Sequence, residues 1–251
     1  MTYFFVRRGC VFLALAALAI FFLQSSLMAQ GLILNRTGTI RVTKPDGKVL
    51  VIEPGQALAD IPSGSKVEVL NGGIEIEHLE GFIQVVLGGS VATVKAGDNV
   101  TASIDEKTGI ADFKVKTGQI NIITGNTTTT LSAGQHAQIG SDKVTGITTV
   151  KSITGAIETV TVGVKAVIPE GAITKIRADA KTRNVHIECV KGTIKAVTTE
   201  GKIIELKEGQ SIDTPGSAEG EIQTFEARES RFEPVEEPPQ PARTEGSPYV
   251  N

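Results

Sequence analysis

The side chains able to do chemistry are few and far apart. Three histidines stand at His78, His136 and His186, and none has a second ligand at the spacings metal sites use. Cys189 follows Val185 and Ile187 at alternate positions, which puts it on the apolar face of a strand, where a thiol is buried and inert. His186 falls on the opposite, solvated face. Asp105, Asp142 and Asp179 recur in register and could line one edge of a stack as calcium ligands. Each copy supplies only one carboxylate there, Glu106 aside, whereas hard cations want several oxygens, and an Asp in a turn bonds its own backbone. Glycoside hydrolysis needs two placed carboxylates and aromatic platforms, yet between Gly31 and Thr224 the aromatics are Phe82 and Phe113. The sequence therefore reads as a non-enzyme, with no catalytic, cofactor-binding or metal-ligating residue assigned.

The elements that would position these residues are short strands. The chain has 251 residues, 40% hydrophobic and 21% charged, with 27 Gly and many Thr, Val and Ile, a composition suited to strands punctuated by turns and not to helices. A net charge of −3 gives no reason to expect nucleic acid as partner. Arg7 and Arg8 precede an apolar run from Val11 to Leu23, then Gln24, Ser25, Ser26 and Ala29, which reads as an export signal over 1–29 cleaved after Ala29. Thirteen apolar residues in a helix reach only about 20 Å, short of a roughly 30 Å hydrocarbon core. Cys10 precedes the run, so a lipid-modified cysteine is not expected, and Cys189 alone cannot make an internal disulfide. Residues 226–251 hold five of the ten prolines and six Glu, a composition that predicts a disordered acidic tail.

Internal repetition decides the architecture. Segments at Thr37–Val42, Glu80–Val85, Thr117–Ile122, Thr154–Thr159 and Lys191–Ala196 share one pattern, with glycines at Gly38, Gly81, Gly118, Gly155 and Gly192. The later intervals are all 37 residues; the first is 43. A second glycine follows in each copy, at Gly55, Gly97, Gly134, Gly171 and Gly209, and in three copies Gln comes next, at Gln56, Gln135 and Gln210. Apolar residues alternate with polar ones between the landmarks, as in Ala111/Phe113/Val115, so each segment is a half-buried strand. The Thr127–Thr130 run reads as a polar β-forming edge, and Gly72-Gly73 as a turn inside the long first interval. One such unit cannot bury enough apolar surface alone, so five must stack. The expected fold is all-β, an elongated stack of ~37-residue repeats (a β-solenoid or folded-over antiparallel sheet) over 30–225, with copies near 37–79, 80–116, 117–153, 154–190 and 191–225. A closed five-bladed propeller ranks second.

The recurring line of a glycine opening a strand, a short polar turn and a second strand ending in x-x-Gly-Gln resembles the FecR family of envelope proteins. Val115–Gln135 and Val190–Gln210 carry it most closely. The resemblance implies an exported FecR-like periplasmic β module, and with few residues before the apolar run the cytoplasmic anti-sigma segment of the sensor-type members is missing. A second likeness, at Ile176–Ala180 followed by Val190–Ile194, is to lipopolysaccharide-transport proteins of the LptA and OstA type, whose strands form an open groove.

The function expected is thus a non-enzymatic exported protein acting through contacts with a protein or cell-envelope component, in the periplasm or alternatively outside the cell. Affinity would come from an exposed sheet edge or groove. Membrane contact would arise only through the N-terminal segment if uncleaved. The alternatives are a membrane-anchored sensor subunit of a FecR-type system and an LptA/OstA-like lipid-groove transporter.

Overall fold

The computed structural model describes residues 30–56, 61–78, 80–179 and 181–216. The expected export signal with Cys10 and the acidic tail at 226–251 lie outside those residues, as does the end of the fifth copy, 217–225. The described chain is all-β: its strands form two large sheets, and neither closes on itself.

The chain opens with β1 (Gln30–Arg36). The first copy supplies β2 (Ile40–Thr43), β3 (Val49–Ile52), β4 (Ile61–Pro62), β5 (Lys66–Val69) and β6 (Gly72–His78). The second supplies β7 (Phe82–Leu87), β8 (Ser90–Lys95), β9 (Asn99–Ile104) and β10 (Ala111–Thr117). The third supplies β11 (Gln119–Thr124), β12 (Thr127–Ser132), β13 (His136–Asp142) and β14 (Ile147–Thr154). The fourth supplies β15 (Ile157–Thr161), β16 (Val164–Ile168), β17 (Ile173–Ala178) and β18 (Asn184–Lys191). The fifth supplies β19 (Thr193–Val197), β20 (Ile203–Lys207) and β21 (Ser211–Pro215).

Each middle copy gives its first two strands to one sheet and its last two to the other. The ten-stranded sheet A runs β21-β18-β17-β14-β13-β10-β9-β6-β1-β4, and the eleven-stranded sheet B runs β20-β19-β16-β15-β12-β11-β8-β7-β5-β2-β3. These are two open sheets facing each other and not radial blades, so the propeller alternative does not hold. Alternating burial explains the division: Ala111, Phe113 and Val115 of sheet A and Ile120 and Ile122 of sheet B are all fully buried between the sheets. Each of the larger side chains, Phe113, Val115, Ile120 and Ile122, contributes about 1.5–3 kcal/mol by leaving water.

The 37-residue register is fixed by a backbone clasp. The Val115 N–H donates to the Gln135 carbonyl (3.0 Å) while the Val115 carbonyl accepts from Gly134 (2.9 Å). The same pair recurs between His78 and Asp98/Gly97, Ser152 and Ala172/Gly171, and Cys189 and Gln210/Gly209. Within the clasped turn the landmark glutamine has a defined task. The side-chain oxygen of Gln135 accepts from the Ser132 N–H (2.6 Å), Gln56 from Glu53 (2.8 Å) and Gln210 from Lys207 (2.8 Å), and in the second copy the Asp98 carboxylate does the same for Lys95 (2.7 Å). In the fourth copy the donor position is Pro169, which has no N–H, and there the glutamine is replaced by Ala172.

Two expectations are corrected. Gly72 and Gly73 do not form a turn; they open β6, paired with Ile104 and Ser103 of β9, and a Cβ on Gly73 would come within 2.9 Å of Ser103 Cβ. The extra residues of the first copy instead hold β4 and β5, and β5 pairs β7 in parallel while every other pairing among the described residues is antiparallel. The Thr127–Thr130 run is not an edge: β12 lies inside sheet B, with Thr127 and Thr129 buried. Thr127 tolerates this site because its methyl packs like valine while its hydroxyl finds a cross-strand partner, Thr161, at 2.8 Å; the Thr129 hydroxyl meets no partner among the described residues.

Candidate functional site

The residues singled out from sequence are held apart, each with a local partner or none. Asp105, Asp142 and Asp179 close their own turns: each carboxylate accepts from the backbone N–H two residues on, at Lys107 (2.9 Å), Val144 (2.9 Å) and Lys181 (2.8 Å). The Lys107 N–H holds the Asp105 carboxyl below its ordinary range, and the N–H groups of Thr182 (2.9 Å) and then Lys181 do the same for Asp179. Among the described residues no three His, Cys, Asp or Glu side chains come together in metal-ligand geometry.

Cys189 is fully buried; its thiol donates to the Gly192 carbonyl (3.4 Å), and burial, aided by the charges of Glu208 and Glu188, pushes it above the usual thiol range. His186 is half-buried and not simply solvated, because cross-strand pairing of β18 with β21 sets it against Asp213, 3.0 Å from Nδ1. His136 sits 2.8 Å from Asp112 on the outer face of sheet A. His78 is fully buried, and neither ring nitrogen meets a partner in bonding geometry among the described residues. Burial pushes its pKa down, opposed by the Asp98 carboxylate and the backbone at Glu80. Phe113 is core, whereas Phe82 is exposed.

What the residue-by-residue reading missed is a surface. On the outer face of sheet B, strand register aligns one row from edge to edge: Val51, Arg41, Glu68, Val86, Val91, Ile123, Thr128, Val160, Lys165, Val197 and Ile203. At about 4.8 Å per strand the row is about 48 Å long. Within the row Val51 (52%), Val160 (38%) and Ile203 (68%) are markedly exposed. A sequence signal existed, because Val86, Ile123, Val160 and Val197 are themselves 37 residues apart.

The row lies beside the turns that join neighbouring strands. Beside β5, β7 and β8 a cavity of about 480 Å³ opens among Val86, Val91, Ile104, Lys66, Glu68 and Lys143. No carboxylate pairs with Lys66 or Lys143 among the described residues, in contrast to Arg41 with Glu68 (2.9 Å) and Lys165 with Glu158 (2.9 Å). The sheet A turns alongside each carry a lysine, Lys107, Lys143 and Lys181, and Val144 there is 81% exposed. The same turns carry Asp105, Glu106, Asp142 and Asp179, so this rim is apolar with charges of both signs.

A second surface is the edge of sheet B at β3. Its Val49 and Val51 point outward and Leu50 inward, yet all three are exposed, because no further strand follows among the described residues.

No family model matches the chain, and no curated protein matches it. Among solved structures it is similar to the TCP10 domain of Danio rerio CPAP, solved in complex with a peptide of Danio rerio STIL, at 17% identity over 71% of this chain and all of that one. The TM-score of that match is 0.14, well short of a shared fold.

Proposed function

We propose that the chain is a non-enzymatic exported scaffold of the FecR-like type, a stack of ~37-residue repeats that works by receiving an extended segment of a protein or cell-envelope partner. The observation that carries this reading is β3: an outermost strand with one side unpaired among the described residues and three exposed aliphatics, Val49, Leu50 and Val51. Natural proteins block such edges with charge, proline or a covering element unless another strand is to be added. Backbone hydrogen bonds would supply affinity and the alternating side chains selectivity. The filled interior between the sheets, where Ile83, Phe113, Ile122 and Leu131 are fully buried, favours this over the lipid-groove alternative.

The test is photo-crosslinking from position 50 in the producing cells, with and without the Val49→Lys/Val51→Lys change. A discrete adduct lost in the double variant supports edge recruitment; an adduct indifferent to those charges, or none, overturns it. Mass spectrometry of the isolated chain's N-terminus separates the exported scaffold from the anchored sensor, which would retain Met1.

A further inference from the structure

We infer that copies of the chain join end to end, with β20 of one copy pairing along the open edge of β3 in the next; this rests on the reading of β3 as a recruiting edge and names its occupant. Direction is the first support. From β3 to β20 across sheet B every pairing is antiparallel except β5 with β7, so β3 and β20 run in opposite senses. Had that pairing been antiparallel too, the two end strands would run alike and a translated copy could offer only a parallel edge. Sheet A is antiparallel throughout, and its end strands β21 and β4 are opposed as well. A copy displaced along the sheets therefore meets its neighbour antiparallel in both layers, outer face continuing as outer face.

The backbone groups at the two edges match in number and register. In the β2–β3 hairpin the Lys44 N–H donates to the Lys48 carbonyl (2.9 Å), and in the β19–β20 hairpin Thr198 donates to Lys202 (3.0 Å). Bonded pairs alternate along an antiparallel ladder, so Val42–Leu50 and Ala196–Ile204 are the next bonded pairs. Val49 and Val51 on one strand, and Ile203, Glu205 and Lys207 on the other, thus turn their N–H and C=O groups to the free edge. Lys207 is already engaged, donating to Gln210 Oε1 (2.8 Å) and accepting from the Gln210 N–H (2.9 Å). Two residues remain on each strand, and a single antiparallel register satisfies both: Val51 with Ile203 and Val49 with Glu205, four backbone hydrogen bonds. Val51 and Ile203 are also the two ends of the outer row, which then runs on from copy to copy.

Shape is the third support. The same register sets Leu50 opposite Ile204 on the inward face. Leu50 is 37% exposed although it points inward, while at the other end Ile204 and Ile212 line an opening of about 230 Å³ between β20 and β21, with Glu200, Lys202 and Asp213 beside them. A protruding leucine and an opening with aliphatic lining complement each other head to tail. Two β3 ends would set leucine against leucine, and two β20 ends would set opening against opening. The contact is heterologous and does not use up either outer end, so it propagates.

The experiment uses the full chain isolated from the producing cells, in a Cys10→Ser background, with Val51→Cys, Ile203→Cys or both, under mild oxidation. Directly paired residues have Cα atoms about 5.5 Å apart, within disulfide reach. Within one chain the two positions are about 48 Å apart, ten strand spacings, so any 51–203 bridge joins two copies. The expected result is a ladder of covalent oligomers from the double variant, a dimer from the mixed single variants, and a 51–203 disulfide in the peptide map. Adding Leu50→Lys should lower the yield several-fold, with a urea melt confirming that the chain remains folded. Bridges of the 51–51 or 203–203 kind, a chain that stays uncrosslinked, or a yield indifferent to Leu50→Lys overturns the inference. A discrete adduct from position 50 to a different protein, with no 51–203 disulfide, also overturns it but leaves β3 as a recruiting edge, so the two failures are distinguishable.

Discussion

The Oδ1 atom of Asp98 fills the space above Gly118: a Cβ there would lie 1.9 Å from it. The same carboxylate accepts from Gln119 N–H (3.1 Å) and Lys95 N–H (2.7 Å), so it ties the turn of one repeat to the first strand of the next. The contact recurs at intervals of 37, with Gly155 over Gln135 and Gly192 over Ala172. Gly118→Ala should therefore be severe, adding a clash to the cost of a side chain at φ +82°, about 3 kcal/mol or more. Gly97→Ala, at φ +88° with open space around it, should cost only about 1 kcal/mol. Urea denaturation of the two variants checks the difference, and equal losses would refute the interlock.

Gln135→Ala removes the acceptor of the Ser132 N–H and the donor to the Ala156 carbonyl. A destabilisation of about 1–3 kcal/mol is expected. Ala172→Gln should gain nothing, because Pro169 offers no N–H to receive. Thermal or urea melts of both variants measure this, and a stabilised Ala172→Gln chain would show that the glutamine acts otherwise.

His78 gives stability a pH dependence of known sign. Its native pKa lies below the ordinary 6.5, chiefly through burial. The unfolded chain thus takes up a proton first as pH falls through about 6.5, and stability declines below that point by at most about 1.4 kcal/mol per pH unit. Asp105 and Asp179, held below 3.8, contribute stability that is lost only at more acid pH. Urea midpoints between pH 7.5 and about 5 should fall in the parent and flatten in His78→Val, since the equivalent site of the next copy is Val115. Parallel profiles would remove His78 from the account.

Cys189 should be silent to thiol reagents while the chain is folded. In a Cys10→Ser chain, which leaves Cys189 as the sole thiol, labelling at pH 8 is expected to proceed only at the rate of opening and to reach one equivalent in urea. Rapid native labelling would contradict the burial of the thiol.

The period, the strands and the inward residues were legible because each rests on local alternation: Val185, Ile187 and Cys189 face the core as their spacing requires. The assignment of strands to sheets was not, since alternation looks the same whichever partner lies opposite. Gly72-Gly73 misled because paired glycines suit a turn as well as the close approach that β6 makes to β9. The Thr run misled because polarity suggests an edge, while the Thr127–Thr161 and Ser90–Thr124 hydroxyl pairs let such residues sit inside. The row through Val86, Ile123, Val160 and Val197 went unseen because each member is one aliphatic out of phase with its strand, and only register across strands joins them.

The hand-over between the sheets after every second strand makes length an adjustable property. Excising 117–153 would bring Ser90 opposite Thr161 in place of Thr124, hydroxyl for hydroxyl, and shorten each sheet by two strands without creating a new kind of contact. Descent by gain or loss of whole 37-residue segments would leave both extremities intact, so the separation of the outermost strands β3 and β20 can change in steps of about 10 Å.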